Sequence, residues 1–261
     1  MGRLVAYMAN RTDRLGDVLD EERSAVALPA GFEADAWGIG FYQDSEVLHK
    51  KRPQLDGGPI DWETVARGVR SDALLIHFRK ATVGDFSAAN THPFRLRQWL
   101  FAHDGTVEGF DAIRGRLLEG LPDFLRRSVR GSTDSEHLFM LVMSFLHDAG
   151  QLDHPDIDEK VVLGALRSSL ATLDQLCAEV GAPTPELRLS LTNGRTLYAV
   201  RRGAPLYYVS RSSLPSEGPD PKGGAVRYVL VVSEPETVPP DYLEVPPATV
   251  LVVDRNLSVT T

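Results

Sequence analysis

Two long helical stretches stand in the middle of this chain with strands on both sides of them. That order constrains the fold more than any other feature. From Asp134 to Ala149 the apolar residues Leu138, Leu141, Val142, Phe145, Leu146 and Ala149 recur at helical spacing behind a Thr133/Glu136 capping box. From about Ile157 to Val180 a second helix places Val162, Ala165, Leu166, Ser169, Leu173, Leu176 and Cys177 on one face. Before these helices "RLVAY" (3–7), "AWGIGFYQ" (36–43), "EVLHKK" (46–51), "DALLIHF" (72–78) and "RQWLFAH" (97–103) read as strands. A tight Gln43-Asp44-Ser45 turn joins two of them, and a short helix over 61–69 has Asp61 as its cap. After Gly181 the texture changes to strands at 186–194, 196–202, 205–211, 226–234 and 248–254, with an Asn-Gly hairpin turn in "TNGRT" and a Pro/Gly-rich, mobile loop over 212–225. So many strands with helices only in the middle predict two sheets sandwiched between helix layers. One domain over 1–261 is expected, because five late strands without helices need another layer to cover them.

Bulk properties narrow the function. The chain has 261 residues, 43% of them hydrophobic, which allows a sizeable core. A net charge of −8 argues against nonspecific nucleic-acid binding and against an anionic membrane surface. No apolar run approaches the roughly 18–20 residues of a membrane span, and the start lacks a signal-peptide pattern. A soluble, cytoplasmic protein is the expectation. Cys177 is the single cysteine, so an internal disulfide and a cysteine zinc cluster are excluded, and its place on the apolar helix face marks it as core.

Four stretches are more polar than a core requires: "DAWGIG" (35–40), "HFRKATVG" (77–84) with "NTHPF" (90–94), "FAHDGTV" (101–107) and "GSTDSEH" (131–137). Arg79 directly follows an apolar strand, where a guanidinium can grip a carboxylate bidentately; alone it also reads as a surface arginine. Asp134 in the first turn of a helix suits the helix dipole. Gly105 after Asp104 can present an N–H to an anion or simply form a turn. His77, His92 and His103 are spaced by 15 and 11 residues, which matches no short metal-ligand pattern, so neither a metal nor a cofactor is expected. Only Met1, Gly2 and Arg3 precede the strand formers Leu4, Val5, Ala6 and Tyr7, so the start of the chain is either a convenient sheet edge or is used chemically.

Taken together, "RLVAY", "DAWGIGFY", "HFRKATVG", "NTHPF", "WLFAHDGTV" and "GSTDSEHLF" resemble the class II glutamine amidotransferases of the stand-alone bacterial type, which are N-terminal-nucleophile hydrolases. The resemblance is strong over about 1–145 and rests beyond that on the helix-then-strand order. It implies an α+β fold, a four-layer αββα sandwich, and a pocket for glutamine or a γ-glutamyl small molecule. In the family a cysteine at position 2 becomes the N-terminus and its thiolate attacks the γ-amide, which would explain why the strand starts at once. By the same resemblance Arg79 binds the substrate α-carboxylate and Asp134 the α-ammonium. Gly105 points its N–H at the oxyanion, and position 104 adds a side-chain donor. Trp37 and Gly38 shape the pocket wall, while Thr91 and His92 play a supporting part. Two positions depart from the pattern. Gly2 has no nucleophile, and Asp104 stands where the family has Asn; an ionised carboxylate only accepts hydrogen bonds. A pseudoenzyme or binding module accounts for both departures. The rival is a working amidohydrolase of γ-glutamyl amides altered at position 2.

Overall fold

The computed structural model describes residues 2–44, 46–53, 62–212 and 225–261. The expected Asp61 cap, Ser45 of the first turn and nearly all of the 212–225 loop lie outside them. The elements run β1 (Arg3–Ala9), α1 (Leu15–Glu21), α2 (Arg23–Val26), β2 (Ala36–Gln43), β3 (Glu46–Pro53), α3 (Trp62–Arg67), β4 (Ala73–Arg79), β5 (Phe94–Leu96), β6 (Trp99–Gly105), α4 (Phe110–Glu119), α5 (Asp123–Arg126), α6 (Asp134–Asp148), α7 (Glu159–Glu179), β7 (Leu187–Thr192), β8 (Leu197–Arg202), β9 (Leu206–Arg211), β10 (Tyr228–Ser233), β11 (Leu243–Glu244), β12 (Thr249–Val253) and β13 (Val259–Thr260).

Among the described residues the strands form a seven-stranded sheet in the order β11-β9-β10-β1-β4-β2-β3 and a six-stranded sheet in the order β13-β12-β8-β7-β6-β5. Strand alternation divides the apolar residues into three layers. Val5, Tyr7, Trp37, Ile39, Leu74, Ile76, Phe78 and Leu230 pack against α1–α3 on the outside of the first sheet. Phe101, Leu187, Leu189 and Leu191 face α4–α7 on the outside of the second. Leu4, Ala6, Leu75, Leu100, Ala102, Ala199 and Val231 fill the gap between the sheets. The result is the αββα sandwich. Strand β1 is central rather than an edge, pairing with both β10 and β4.

The two long helices occupy the spans their periodicity predicts, and the buried face of α7 is the one read from spacing, Cys177 included. Local details differ. The β7–β8 loop is a four-residue connection, with Thr192 opposite Leu197, instead of a two-residue Asn-Gly turn. Its shape comes from the Asn193 side chain, whose Oδ1 accepts from the N–H groups of Arg195 and Thr196. The capping box is half-made. Thr133 Oγ1 accepts from Glu136 N at 3.2 Å, but the Glu136 carboxylate turns to the N–H groups of Arg130 and Gly131. The strand expected at 97–103 is shifted to Trp99–Gly105, so Asp104 and Gly105 end a strand.

Candidate functional site

The same alternation that packs the core assembles the site. On β4, Ala73 and Leu75 face the inter-sheet gap, so His77 and Arg79 continue along that face. On β6, Leu100 and Ala102 face the gap, and Asp104 follows them. Gly2 precedes Leu4 on the inter-sheet face of β1. The gap is apolar through the middle and polar at this mouth. There Gly2, His77, Arg79, His92, His103, Asp104, Gly105, Thr133, Asp134 and Ser135 line a small cavity of about 30 Å³, room for a water or two but not for an amino acid.

Arg79 is buried, and its guanidinium donates to the carbonyl oxygens of Asp85 (2.7 Å), Val83 (2.5 Å) and Gly84 (3.2 Å), so it organises the loop that covers the cavity. Asp134 opens α6, where the dipole favours a carboxylate. Its Oδ2 accepts from Val107 N at 2.8 Å, and its Oδ1 accepts from Ser135 N at 2.8 Å and Ser135 Oγ at 3.3 Å. Ser135 Oγ also lies 2.9 Å from His103 Nδ1. With the serine donating to Asp134, His103 Nδ1 donates to the serine and leaves the Nε2 lone pair bare. Among the described residues, both ring nitrogens of His77 and His92, and Nε2 of His103, are buried without a hydrogen bond of good geometry, although the His103 backbone lies near enough to His77 to favour its charged form slightly. The His77 and His92 rings lie 4.1 Å apart. Burial, reinforced by neighbouring positive charge, pushes His77 down to about 3 and His92 well below the usual range. Burial also lowers His103, although Asp134 pulls the other way. All three rings are therefore neutral at pH 7.

At Gly105 (φ +152°) a Cβ would come within 2.7 Å of the Glu186 carbonyl and 2.9 Å of His103 Nε2, so only glycine keeps this backbone in place. A Cβ on Gly2 would stand 2.7 Å from the Phe78 carbonyl and 3.2 Å from His77 Nε2. Asp104 is paired with a residue that no motif marked. Arg188, directly opposite on β7, donates to its Oδ2 at 2.5 Å, with both side chains nearly inaccessible. Arg188 also reaches Glu234 Oε1 at 2.8 Å and the Pro205 carbonyl at 3.3 Å. The available signal was alternation: in "LRLSL" the leucines face the helices, which turns Arg188 inward. Burial pushes the Asp104 carboxyl up to about 6 even though Arg188 and the Gly2 N–H favour its ionised form.

The structure thus gathers Gly2, Arg79, Asp104, Gly105 and Asp134 around one cavity. Trp37 and Gly38 do not line it. Trp37 packs into the layer facing α1–α3, and Gly38 lies against the His92 carbonyl, where a Cβ would come within 2.2 Å of the oxygen. Thr91 donates to the Ser87 carbonyl and His92 forms part of the wall. Cys177 does not line the site; it sits on the buried face of α7 with its thiol pushed up by desolvation. Among the described residues no group of His, Cys, Asp and Glu could hold a metal, and no helix is long and apolar enough to cross a membrane. A larger cleft of about 1230 Å³ opens at the opposite end of the strands. Its ion pairs Arg195–Asp156 and Arg255–Asp72 are closed on themselves, and no buried unpartnered side chain lines it among the described residues.

A family model described as class-II glutamine amidotransferases matches residues 23–216. Over 122 residues the chain is 31% identical to Saccharomyces cerevisiae DUG3, named a probable glutamine amidotransferase; this covers 44% of the chain and only 34% of that relative's length. Over 215 residues it is 27% identical to the gamma-glutamyl-hercynylcysteine sulfoxide hydrolase of Mycolicibacterium smegmatis, covering 82% of the chain and 74% of the relative. Among solved structures, a glutamine aminotransferase class-II domain protein from Silicibacter pomeroyi superposes with a TM-score of 0.65 at 27% identity, covering 97% of this chain and 95% of that one. The Bacillus subtilis glutamine phosphoribosylpyrophosphate amidotransferase shares the fold, with a TM-score of 0.58 at 15% identity, covering 98% of this chain and 48% of that one.

Proposed function

From a chain that belongs to the class II glutamine amidotransferases, we propose a protein that binds the glutamyl head group of glutamine or a γ-glutamyl amide without hydrolysing it. The observation that carries this reading is that the cavity joining Arg79 and Asp134 begins at Gly2, which offers neither thiol nor hydroxyl. The guanidinium of Arg79 takes the ligand's α-carboxylate and the Asp134 carboxylate its α-ammonium. The γ-amide then lies towards Gly105 and Asp104. The cavity is too small for the ligand as it stands, so binding exchanges the carbonyl partners of Arg79 at 83–85 for the carboxylate and lifts that loop. A missing nucleophile lowers turnover by about 10⁶ in proteases, whereas ground-state binding need not suffer. The one thiol is buried on the inner face of α7, away from the cavity lining, which supports the same reading.

Calorimetry paired with an ammonia assay tests it. Glutamine should bind, Arg79→Ala should abolish binding, and no ammonia should appear above the blank. Ammonia release that disappears in Arg79→Ala overturns the proposal. A second reading, an amidohydrolase of γ-glutamyl amides altered at position 2, draws support from the match to the mycobacterial hydrolase across 82% of the chain. The double variant Gly2→Cys/Asp104→Asn separates the two. Hydrolysis approaching that of a working enzyme favours the second reading, and weak hydrolysis favours a latent binding site.

A further inference from the structure

We propose that Arg188 is a specificity-determining residue: it holds Asp104 as a hydrogen-bond acceptor at the amide end of the cavity, so that the site receives a ligand group that donates, a γ-amide N–H, and turns away a γ-carboxylate. This inference rests on the glutamyl reading above and adds a residue and a selectivity to it.

Geometry carries it first. Arg188 and Asp104 are cross-strand partners on the inter-sheet face, and the guanidinium spans the mouth from β6 to Glu234 just beyond β10, tying the two sheets together at the end of the cavity. Stability alone is a poor account of such a pair, because desolvating two charges offsets most of their attraction and an apolar pair of equal volume commonly does as well. The consequence for the ligand is more specific. The charged and titratable groups facing Asp104 are Arg188 from β7, Glu234 beyond β10, the terminal ammonium of the chain and the neutral imidazoles of His77 and His103, together with the Gly2 N–H. Glu234 and burial both favour a protonated carboxyl, and Arg188 is the largest influence opposing them, ahead of the terminal ammonium and the Gly2 N–H. A protonated Asp104 would donate a hydrogen bond and accommodate a γ-carboxylate. An ionised Asp104 accepts an amide N–H and repels the carboxylate. Arg188 therefore sets the sign of recognition without touching the ligand, as a positioning residue.

The test uses the full chain and its Arg188→Met and Arg188→Lys variants, with two readouts: a carbon-13 NMR titration of the Asp104 carboxyl, and calorimetry with glutamine and glutamate at pH 7.5. The unaltered protein should prefer glutamine by about tenfold or more, the scale of a mispaired buried charge. Arg188→Met should raise the Asp104 titration by about one pH unit or more and narrow the preference to about threefold or less. Arg188→Lys should restore part of both. An Asp104 titration and a preference that both stay put in folded Arg188→Met overturn the proposal, as does an unaltered protein that prefers glutamate. Should Arg188→Met not fold, Asp104→Asn, which donates as well as accepts, carries the test: it should erase the preference, and an unchanged preference overturns the proposal. If neither amino acid binds the unaltered protein, the glutamyl reading and the selectivity fall together. The titration arm then still decides whether Arg188 governs the protonation of Asp104.

Discussion

Two buried carboxylates flank the seven-stranded sheet, and they are built differently. Glu22, at the junction of α1 and α2 on the outer face, accepts from Arg211 Nε at 2.9 Å, from the Tyr242 hydroxyl at 2.8 Å and from the Tyr228 hydroxyl. Both tyrosine partners are buried, and Arg211 is held in turn by Asp241. Asp104, on the inner side, has one guanidinium and a backbone N–H, and borders a cavity where, among the described residues, five imidazole nitrogens lack a hydrogen bond of good geometry. A carboxylate surrounded by donors is a latch. One left beside unpaired polar atoms borders a place for something else, since buried polar groups are otherwise almost always satisfied.

The largest effect expected from this contrast is on the latch. Glu22→Ala leaves two buried hydroxyls without their acceptor, while the part-exposed Arg211 keeps Asp241, and should cost about 3–5 kcal/mol of unfolding free energy. Asp104→Ala should cost less, because Arg188 keeps Glu234 and the Pro205 carbonyl. Urea unfolding of both variants checks the order, and a costlier Asp104→Ala would collapse the distinction.

Acid should act most strongly on the cavity side, with the depressed His49 and His137 adding to it from elsewhere. The pKa values of His77, His92 and His103 are depressed, so the unfolded chain takes up their protons first, near pH 6.5, and stability present above that pH is lost below it. Each ring contributes a slope of up to about 1.4 kcal/mol per pH unit. Asp104 is shifted the other way. Its native carboxyl, near 6, gains a proton before the unfolded one does, which offsets part of the loss as the pH falls from about 6 to about 4. Unfolding measured at several pH values should therefore show stability declining below pH 6.5, and His77→Phe should remove one ring's share of the slope. A flat profile would mean that the rings are solvated in the native state.

The smallest effect sharpens the picture at one hydrogen bond. Ser135→Ala breaks the link between Asp134 and His103 and should lower stability by about 1 kcal/mol. By freeing the His103 ring it should also weaken glutamine binding severalfold. An affinity that does not change would exclude His103 from the ligand's surroundings.

Much of this molecule was determined by its sequence alone. Period-3.6 spacing settled α6 and α7 and the burial of Cys177, because a helix repeats its face regardless of what packs on it. Period-2 strands placed their leucines and valines, and the motif order carried the positions of Arg79, Asp104, Gly105 and Asp134. Shorter pieces were less legible. Helices α1, α2 and α5 and strands β5, β11 and β13 are too short for a period to show, and their form comes from the layers they cover, whereas α4 carries its period in Phe110, Ile113 and Leu117. Only the tertiary structure decided that Trp37 turns outward to the helices, that Arg79 spends its donors on its own loop, and that Arg188 closes on Asp104. The last pair is 84 residues apart in sequence and adjacent only because β6 and β7 align in one register. A sequence shows which residues can carry charge. Which charges meet, and whether water is there to separate them, follows from strand pairing and burial, and no local pattern encodes either.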